Sequence, residues 1–505
     1  MPFLLAAGGA LGSDNKACAS CHAAIYRQYL TSAMAQSSGV VGQGTSKETF
    51  DHAAFTTPDG GARYQVTRRA GGLFVDFQQG EIQGSRRLDY YLGSGVIGRS
   101  YLSSVSGFLF QAPVAYYTAP ARWDLSPGYE HAQEVNLIRG VDFACLNCHA
   151  SGVEAKAGTK NGYAQPPFRE NGVSCERCHG SGDEHIARVK AGNVEGGLAI
   201  VNPRKLAVEK RASICAQCHL PGAIRIAKPA GRTYHPGEIL FDSTAVFVWT
   251  EPGRVVPANS HFEQLVQSRC WRASQGELWC ATCHDPHGAK VNVEQRCVGC
   301  HACAKKIQNN CVNCHMPSAP AATVQHAAFT DHSIPRLPRA QTTLPADAIL
   351  SPFPGSTASD RDLGLAYATL ALESNNRAWG MRAVKLLEPA SDSKAVDQLA
   401  QLYDRMGKEN EACAMYERVV DADPTATGAT VNLGTCLAKQ GKVEESIRLW
   451  KDAVARNPGL ESARFNLAVA LYRLGKTSDA RATLDEALKF NPASKRAREL
   501  LRAMN

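Results

Sequence analysis

The chain has 505 residues, 55 Lys and Arg against 47 Asp and Glu, a formal charge of +8 and eighteen cysteines. That length exceeds what one hydrophobic core usually organises, so two or more domains are expected. The chain is too long to be a small disulfide scaffold. It also lacks the basic runs interleaved with aromatic residues that a single-strand nucleic-acid binder needs, so no nucleic acid is expected as a partner.

Residues 1–15 are read as a truncated signal segment. Phe3 to Gly12 is apolar and ends in small residues, but no Lys or Arg precedes it. No other stretch is long and apolar enough to span a bilayer, so a soluble mature protein without a membrane span is expected.

Residues 16–332 carry the chemistry. Fourteen cysteines fall in pairs at CxxC spacing, each pair followed directly by histidine: Cys18, Cys21 and His22; Cys145, Cys148 and His149; Cys175, Cys178 and His179; Cys215, Cys218 and His219; Cys280, Cys283 and His284; Cys297, Cys300 and His301; Cys311, Cys314 and His315. Two thiols one turn apart can add to the two vinyl groups of a porphyrin while the adjacent imidazole reaches its iron, so each pentapeptide attaches one haem c. Seven immediate histidines exclude the zinc and thioredoxin readings of CxxC. Seven haems bring fourteen propionates against seven ferric centres, which moves the formal +8 to about +1. The basic excess therefore serves mostly to neutralise cofactor. Covalent haem attachment places the chain outside the cytoplasm, in the periplasm or outside the cell.

Between the first two motifs lies a long motif-free stretch with a β pattern. Arg63-Tyr-Gln-Val-Thr-Arg and Leu73-Phe-Val-Asp-Phe alternate about Ala70-Gly71-Gly72, which predicts a hairpin, and a second pair of aromatic runs spans Phe108 to Tyr117. The rest of this domain is expected as short helices and irregular chain packed on porphyrins, giving a mixed fold class.

Function turns on the second axial position of each iron, because two strong ligands make a carrier and an open position makes a catalyst. Eight histidines lie outside the motifs, His52, His131, His185, His235, His261, His287, His326 and His332, and none follows residue 332. His185 and His287 stand too close after their own motifs to reach the far face of the same iron. They are therefore expected to ligate a neighbouring haem. Cys270 and Cys303, left over from the motifs, could form a disulfide or remain thiols.

Residues 333–360 repeat proline without periodicity, as in Ile334-Pro-Arg-Leu-Pro-Arg and Ser351-Pro-Phe-Pro-Gly, and read as a linker. Residues 361–505 repeat at a period of 34: Pro424, Pro458 and Pro492, and likewise Gly407, Gly441 and Gly475. That is the tetratricopeptide period. Leu399/Ala400, Leu433/Gly434 and Leu467/Ala468 recur on the first helix, and Ala412/Tyr416, Ser446/Trp450 and Ala480/Leu484 on the second. Residues 361–390 are expected as a degenerate first repeat and 493–505 as a capping helix of an all-α solenoid. Cys413 and Cys436 are expected as packed core residues rather than redox groups.

The strings Asp89-Tyr-Tyr-Leu-Gly-Ser-Gly, Arg99-Ser-Tyr-Leu, Ser126-Pro-Gly-Tyr, Gly172-Val-Ser-Cys-Glu-Arg-Cys-His-Gly, His261-Phe-Glu-Gln-Leu and Thr330-Asp-His resemble bacterial multihaem c-type cytochromes that end in tetratricopeptide repeats. Those are in turn similar to the tetrahaem electron carrier of ammonia oxidisers. The resemblance implies closely stacked haems with mainly bis-histidine ligation, and His52, His185, His261, His287, His326 and His332 as distal ligands. His131 and His235 are further candidates, although the resembling family has arginine where His235 stands. Related cytochromes often place a histidine at the distance after the first motif where this chain has Met34, so Met34 is a candidate ligand that would raise a haem's potential. Met316 adjoins a motif histidine and is badly placed for that iron.

The leading expectation is electron transfer through seven haems, with redox proteins as partners and the repeats as a docking surface. Two alternatives remain open. One is an oxidoreductase acting on a small nitrogen or sulfur compound at an open haem, although the chain lacks a CxxCK site. The other is self-assembly into a cytochrome filament.

Overall fold

A computed structural model describes residues 14–44, 46–193, 198–229, 233–251, 254–255, 260–300, 311–320, 328–336 and 348–504. Among them no helix is long and apolar enough to cross a membrane.

The expected hairpin forms. Strands Arg63–Arg69 and Gly72–Gln79 pair antiparallel with Arg69 opposite Gly72, and Gly71 and Gly72 take φ of 93° and 135° at the turn, where a side chain would be strained. Ala54–Thr56 and Ile82–Leu88 complete a four-stranded sheet. A second sheet runs Ser38–Val40, Tyr90–Leu92, Gly98–Val105, Phe108–Tyr117 and Arg122–Leu125 in that order. Alternation puts Tyr64, Val66, Leu73, Val75 and Phe77 of the first sheet into one core with Tyr101, Val114, Tyr116 and Trp123 of the second. An aliphatic and aromatic core of its own therefore holds this insertion together.

A buried ion pair fastens it. Arg99 Nη1 donates to Glu48 Oε1 at 2.9 Å, and the Tyr101 hydroxyl donates to the same oxygen at 2.7 Å. The two charged side chains are 5 % and 8 % exposed. Burial opposes ionisation of Glu48 most strongly, but hydrogen bonds from Tyr101, Ser46, its own backbone and Arg99 together outweigh it and hold the carboxyl at about 2. A carboxyl depressed in the folded state contributes stability above its unfolded pKa and loses it as pH falls toward the folded one. Acidification from pH 5 to pH 2 is therefore expected to remove up to about 3 kcal/mol through this residue. Glu48→Gln should flatten that part of the acid titration followed by circular dichroism. An unchanged acid slope in the variant would refute the assignment.

The repeat domain is a succession of helix pairs: Asp360–Ser374 with Arg377–Leu387, Ser393–Arg405 with Glu409–Ala422, Thr427–Lys439 with Val443–Arg456, Glu461–Arg473 with Thr477–Phe490, and the cap Lys495–Ala503. Gly407, Gly441 and Gly475 adopt nearly the same left-handed φ, 75° to 81°, at the turn inside the last three pairs, and Asn375 takes φ of 54° in the first. Gly434 is required by packing, since a Cβ there would stand 2.7 Å from Trp450 Nε1.

Two expectations are corrected. Cys413 and Cys436 are not packed thiols; they form a disulfide with a Cα–Cα separation of 5.7 Å, joining Glu409–Ala422 to Thr427–Lys439. Helix pattern places both residues on packed faces but cannot report their mutual distance. The proline-rich segment is not wholly a linker either. Residues 337–347 lie outside the described residues, but Ile349–Pro352 is a strand paired antiparallel with Thr244–Glu251 of the motif-bearing domain.

That strand begins a long contact between the domains. Phe247 and Leu350 share a core with Leu365, Tyr367 and Leu387 of the first repeat, and Trp249 packs on Trp379 with ring centroids 5.0 Å apart. The turns between repeats, spaced by 34 residues, then meet the motif-bearing domain one after another, first beyond its second motif and then on the β-rich insertion. Thr427 Oγ1 donates to Gly158 O at 2.9 Å, Gly459 lies against the Phe110 ring, and Phe110 meets Phe490 edge-on at 6.2 Å. Arg86 donates to Phe490 O at 2.6 Å, and Lys495 pairs with Glu134 at 2.6 Å.

Candidate metal centres

Each of the seven CxxCH motifs begins on or directly before a helix: Asn15–Ala19, Phe143–His149, Glu176–His179, Val208–His219, Cys280–Cys283, Val293–Val298 and Cys311–His315. One α-turn brings positions i, i+3 and i+4 to a single face. The turn is closed by the histidine N–H donating to the first cysteine's carbonyl: His22 to Cys18 at 2.9 Å, His179 to Cys175 at 3.0 Å and His284 to Cys280 at 2.9 Å. Both thiols and the imidazole therefore face the same way.

Every free cysteine among the described residues is half-buried or exposed, although free cysteine is among the most buried residue types. Large apolar side chains near the motifs are also uncovered: Ile25, Leu30, Phe143, Leu198 and Val298 are 45 % to 60 % exposed. Thiols of different motifs approach one another, Cys18 with Cys175, Cys148 with Cys218, Cys215 with Cys280 and Cys297 with Cys311. The motifs are thus packed side by side rather than scattered over the domain.

Three motif histidines face a second histidine from elsewhere in the chain. His22 and His185 have ring centroids 6.4 Å apart and planes 18° apart; His179 and His287, 6.0 Å and 10°; His284 and His332, 6.2 Å and 18°. Two imidazoles sharing one metal through nitrogens about 2.0–2.1 Å from it, with each ring centre about 1.1 Å behind its nitrogen, hold their centroids about 6.2–6.4 Å apart. The three separations lie at or just below that value, so these are the residue pairs that would hold a metal between two imidazoles. His261 and His332, at 4.3 Å and 32°, are too close to flank one metal from opposite sides.

Carbonyl groups orient these rings. Nδ1 of His179 lies 2.8 Å from Val201 O, that of His185 2.8 Å from Leu198 O, that of His332 2.8 Å from Thr330 O and that of His315 3.0 Å from Pro335 O. With Nδ1–H held by a carbonyl, Nε2 carries the lone pair that binds a metal. Burial holds His149, His219, His287 and His332 below the usual imidazole range, and His261 is pushed down to about 4 by burial and its neighbours His332, His219 and His284. Neutral imidazole is the ligating form.

The remaining candidates are placed differently. His52 and His131 are exposed on the β-rich insertion. His235 is exposed and lines a cavity of about 440 Å³ together with His179, on no ring pair among the described residues. Met34 is half-buried, and its carbonyl accepts from Val173 N at 3.0 Å, just before the third motif. His185, rather than Met34, stands across from His22. His301, His326 and Cys303 lie outside the described residues, and Cys270 is free. The orienting carbonyls of Val201, Leu198, Pro335 and Thr330 were not legible in the sequence, because a backbone carbonyl has no residue signature.

A family described as "Cytochrome c554 and c-prime" matches residues 121–180, and two tetratricopeptide-repeat families match residues 398–461 and 437–504. No match is found among curated proteins. Among solved structures, "MamA MSR-1 C2" is 23 % identical over 29 % of this chain and 82 % of its own, with a TM-score of 0.25. "First TPR of Spaghetti (RPAP3) bound to HSP90 peptide SRMEEVD" is 23 % identical over 22 % of this chain and 89 % of its own, with a TM-score of 0.21. Likeness at those scores says nothing of what this chain binds. The family matches and the helix pairs together make this a cytochrome-like protein that carries tetratricopeptide repeats.

Proposed function

We propose that the chain relays electrons through seven haems c, one at each CxxCH motif, mostly with two axial histidines. The observation that carries this reading is the set of three near-parallel imidazole pairs at 6.0–6.4 Å, each joining a motif histidine to a histidine of another segment. In this reading His185 completes the site of the first motif, His287 that of the third and His332 that of the fifth. Cross-ligation of this kind ties neighbouring sites together, which suits transfer between them. The haems supply the redox chemistry when bound; the protein's part is to attach them, fix their axial imidazoles through the Nδ1 contacts and hold the motifs against one another. The Cys413–Cys436 disulfide supports an oxidising compartment, periplasmic or extracellular. Redox proteins are the partners in this reading, and the repeats that are not engaged by the β-rich insertion offer the docking surface.

A second reading, an oxidoreductase with one open haem, is favoured by His149. It is half-buried, and among the described residues no second histidine ring faces it as one faces His22, His179 and His284. One measurement separates the two. Intact mass should show seven added haems, and the electron paramagnetic resonance spectrum of the oxidised protein should be low-spin throughout. A high-spin ferric signal would favour the oxidoreductase; a mass short of seven haems would overturn the count.

A further inference from the structure

Three guanidinium groups converge on a cavity of about 330 Å³ beside the fifth motif. They come from three segments: Arg204 from the turn Pro203–Lys205, Arg211 from the helix Val208–His219 and Arg296 from the helix Val293–Val298. Trp279, Ala281 and Thr282 complete the lining. Arg211 is buried, its cation 5.0 Å over the Trp279 ring, and one nitrogen lies 3.2 Å from both Gly276 O and the Glu277 carboxylate. Glu277 is itself mostly exposed, and among the described residues no carboxylate pairs with Arg204 or Arg296. Three like charges around one cavity repel, and the single, mostly exposed Glu277 carboxylate offsets only part of that charge. Guanidinium groups bind carboxylates and oxyanions through paired N–H donors.

We propose that Arg204, Arg211 and Arg296 form a carboxylate-binding site that takes a propionate group of a porphyrin attached nearby. This rests on the haem reading above. Ala281 and Thr282 lie between Cys280 and Cys283, Arg296 directly precedes Cys297, and Arg211 lies one turn before Cys215, so the site is bordered by the fourth, fifth and sixth motifs. Covalent attachment holds a porphyrin's two carboxylates close to such a site at all times. A free oxyanion such as phosphate shares the same chemistry and would enter from solvent.

The test uses the full-length holoprotein and the double variant Arg204→Gln/Arg296→Gln. Both arginines are exposed, so the fold should be kept, and Arg211 stays in place as part of the packing on Trp279. Haem content by mass should be unchanged. In a spectroscopic redox titration one midpoint potential should fall, because a carboxylate deprived of its cations favours the ferric state. Calorimetric titration with inorganic phosphate should show no binding to either protein. Phosphate bound by the wild type and lost in the variant would overturn the propionate assignment in favour of a free oxyanion. Unchanged potentials without phosphate binding would overturn the anion site itself. Absence of haem from the fourth to sixth motifs in the wild type would instead defeat the haem reading on which the proposal rests.

Discussion

Deletion of residues 361–505 is expected to unfold part of the motif-bearing domain rather than leave an intact relay without a docking module. The sheet strand Thr244–Glu251 buries Ala245 and Phe247 against the first repeat, and its partner strand Ile349–Pro352 is held by Leu350 N donating to the Tyr367 hydroxyl at 3.0 Å. Removing the repeats exposes this core together with Phe110 on the β-rich insertion. Burial of one such side chain contributes about 1.5–3 kcal/mol, so the loss of several exceeds the margin of an ordinary domain. A single substitution reports the same contact more gently. Phe490→Ala, at a residue 4 % exposed, should cost about 3–5 kcal/mol and lower the calorimetric Tm with haem content unchanged. A soluble fragment ending at residue 360 with an unaltered Tm would refute this account. Partner binding by the repeats is for the same reason better probed by surface substitutions than by truncation.

Replacement of His185, His287 or His332 by alanine is expected to convert one low-spin haem to a high-spin one in each variant. Each residue lies 6.0–6.4 Å, ring centre to ring centre, from a motif histidine, and on the proposed reading it is the second ligand of that motif's iron. None of the three is a motif cysteine, so on the proposed reading haem number should stay at that of the wild type. The high-spin signal in the oxidised spectrum should grow additively across the three variants, because the three pairs share no ring. His52→Ala and His131→Ala should leave the spectrum unaltered, since both rings are exposed on the insertion. A low-spin spectrum in the His287→Ala variant would show that another residue ligates the third site, and a changed spectrum in His52→Ala would restore it as a ligand.

Much of the site was legible in the sequence because its first layer is local. The positions i, i+3 and i+4 of CxxCH lie within one helical turn, so spacing alone determines that two thiols and an imidazole share a face. His185 and His287 stand too close after their own motifs to turn back on them, and their rings lie 6.4 Å from that of His22 and 6.0 Å from that of His179. The particular partners were not legible. They depend on how short helices joined by irregular chain pack together, and no periodicity encodes that.

The repeat domain shows the same division. A 34-residue period with glycine, proline and paired packing positions determined the helix pairs, the left-handed turns at Gly407, Gly441 and Gly475 and the capping helix, since each repeat contacts mainly its neighbours. The period is silent on what the solenoid touches. Only the tertiary structure set the turns between repeats against Gly158, Phe110 and Arg86, turned Ile349–Pro352 from linker into strand, joined Cys413 to Cys436 and gathered Arg204, Arg211 and Arg296 around one cavity. Sequence by itself determined the motifs, the hairpin and the repeats, because each is governed by contacts within a turn, a strand pair or one repeat. The tertiary structure decided which histidines face one another and how the two domains join, because those contacts link residues far apart in the chain and depend on packing rather than on spacing.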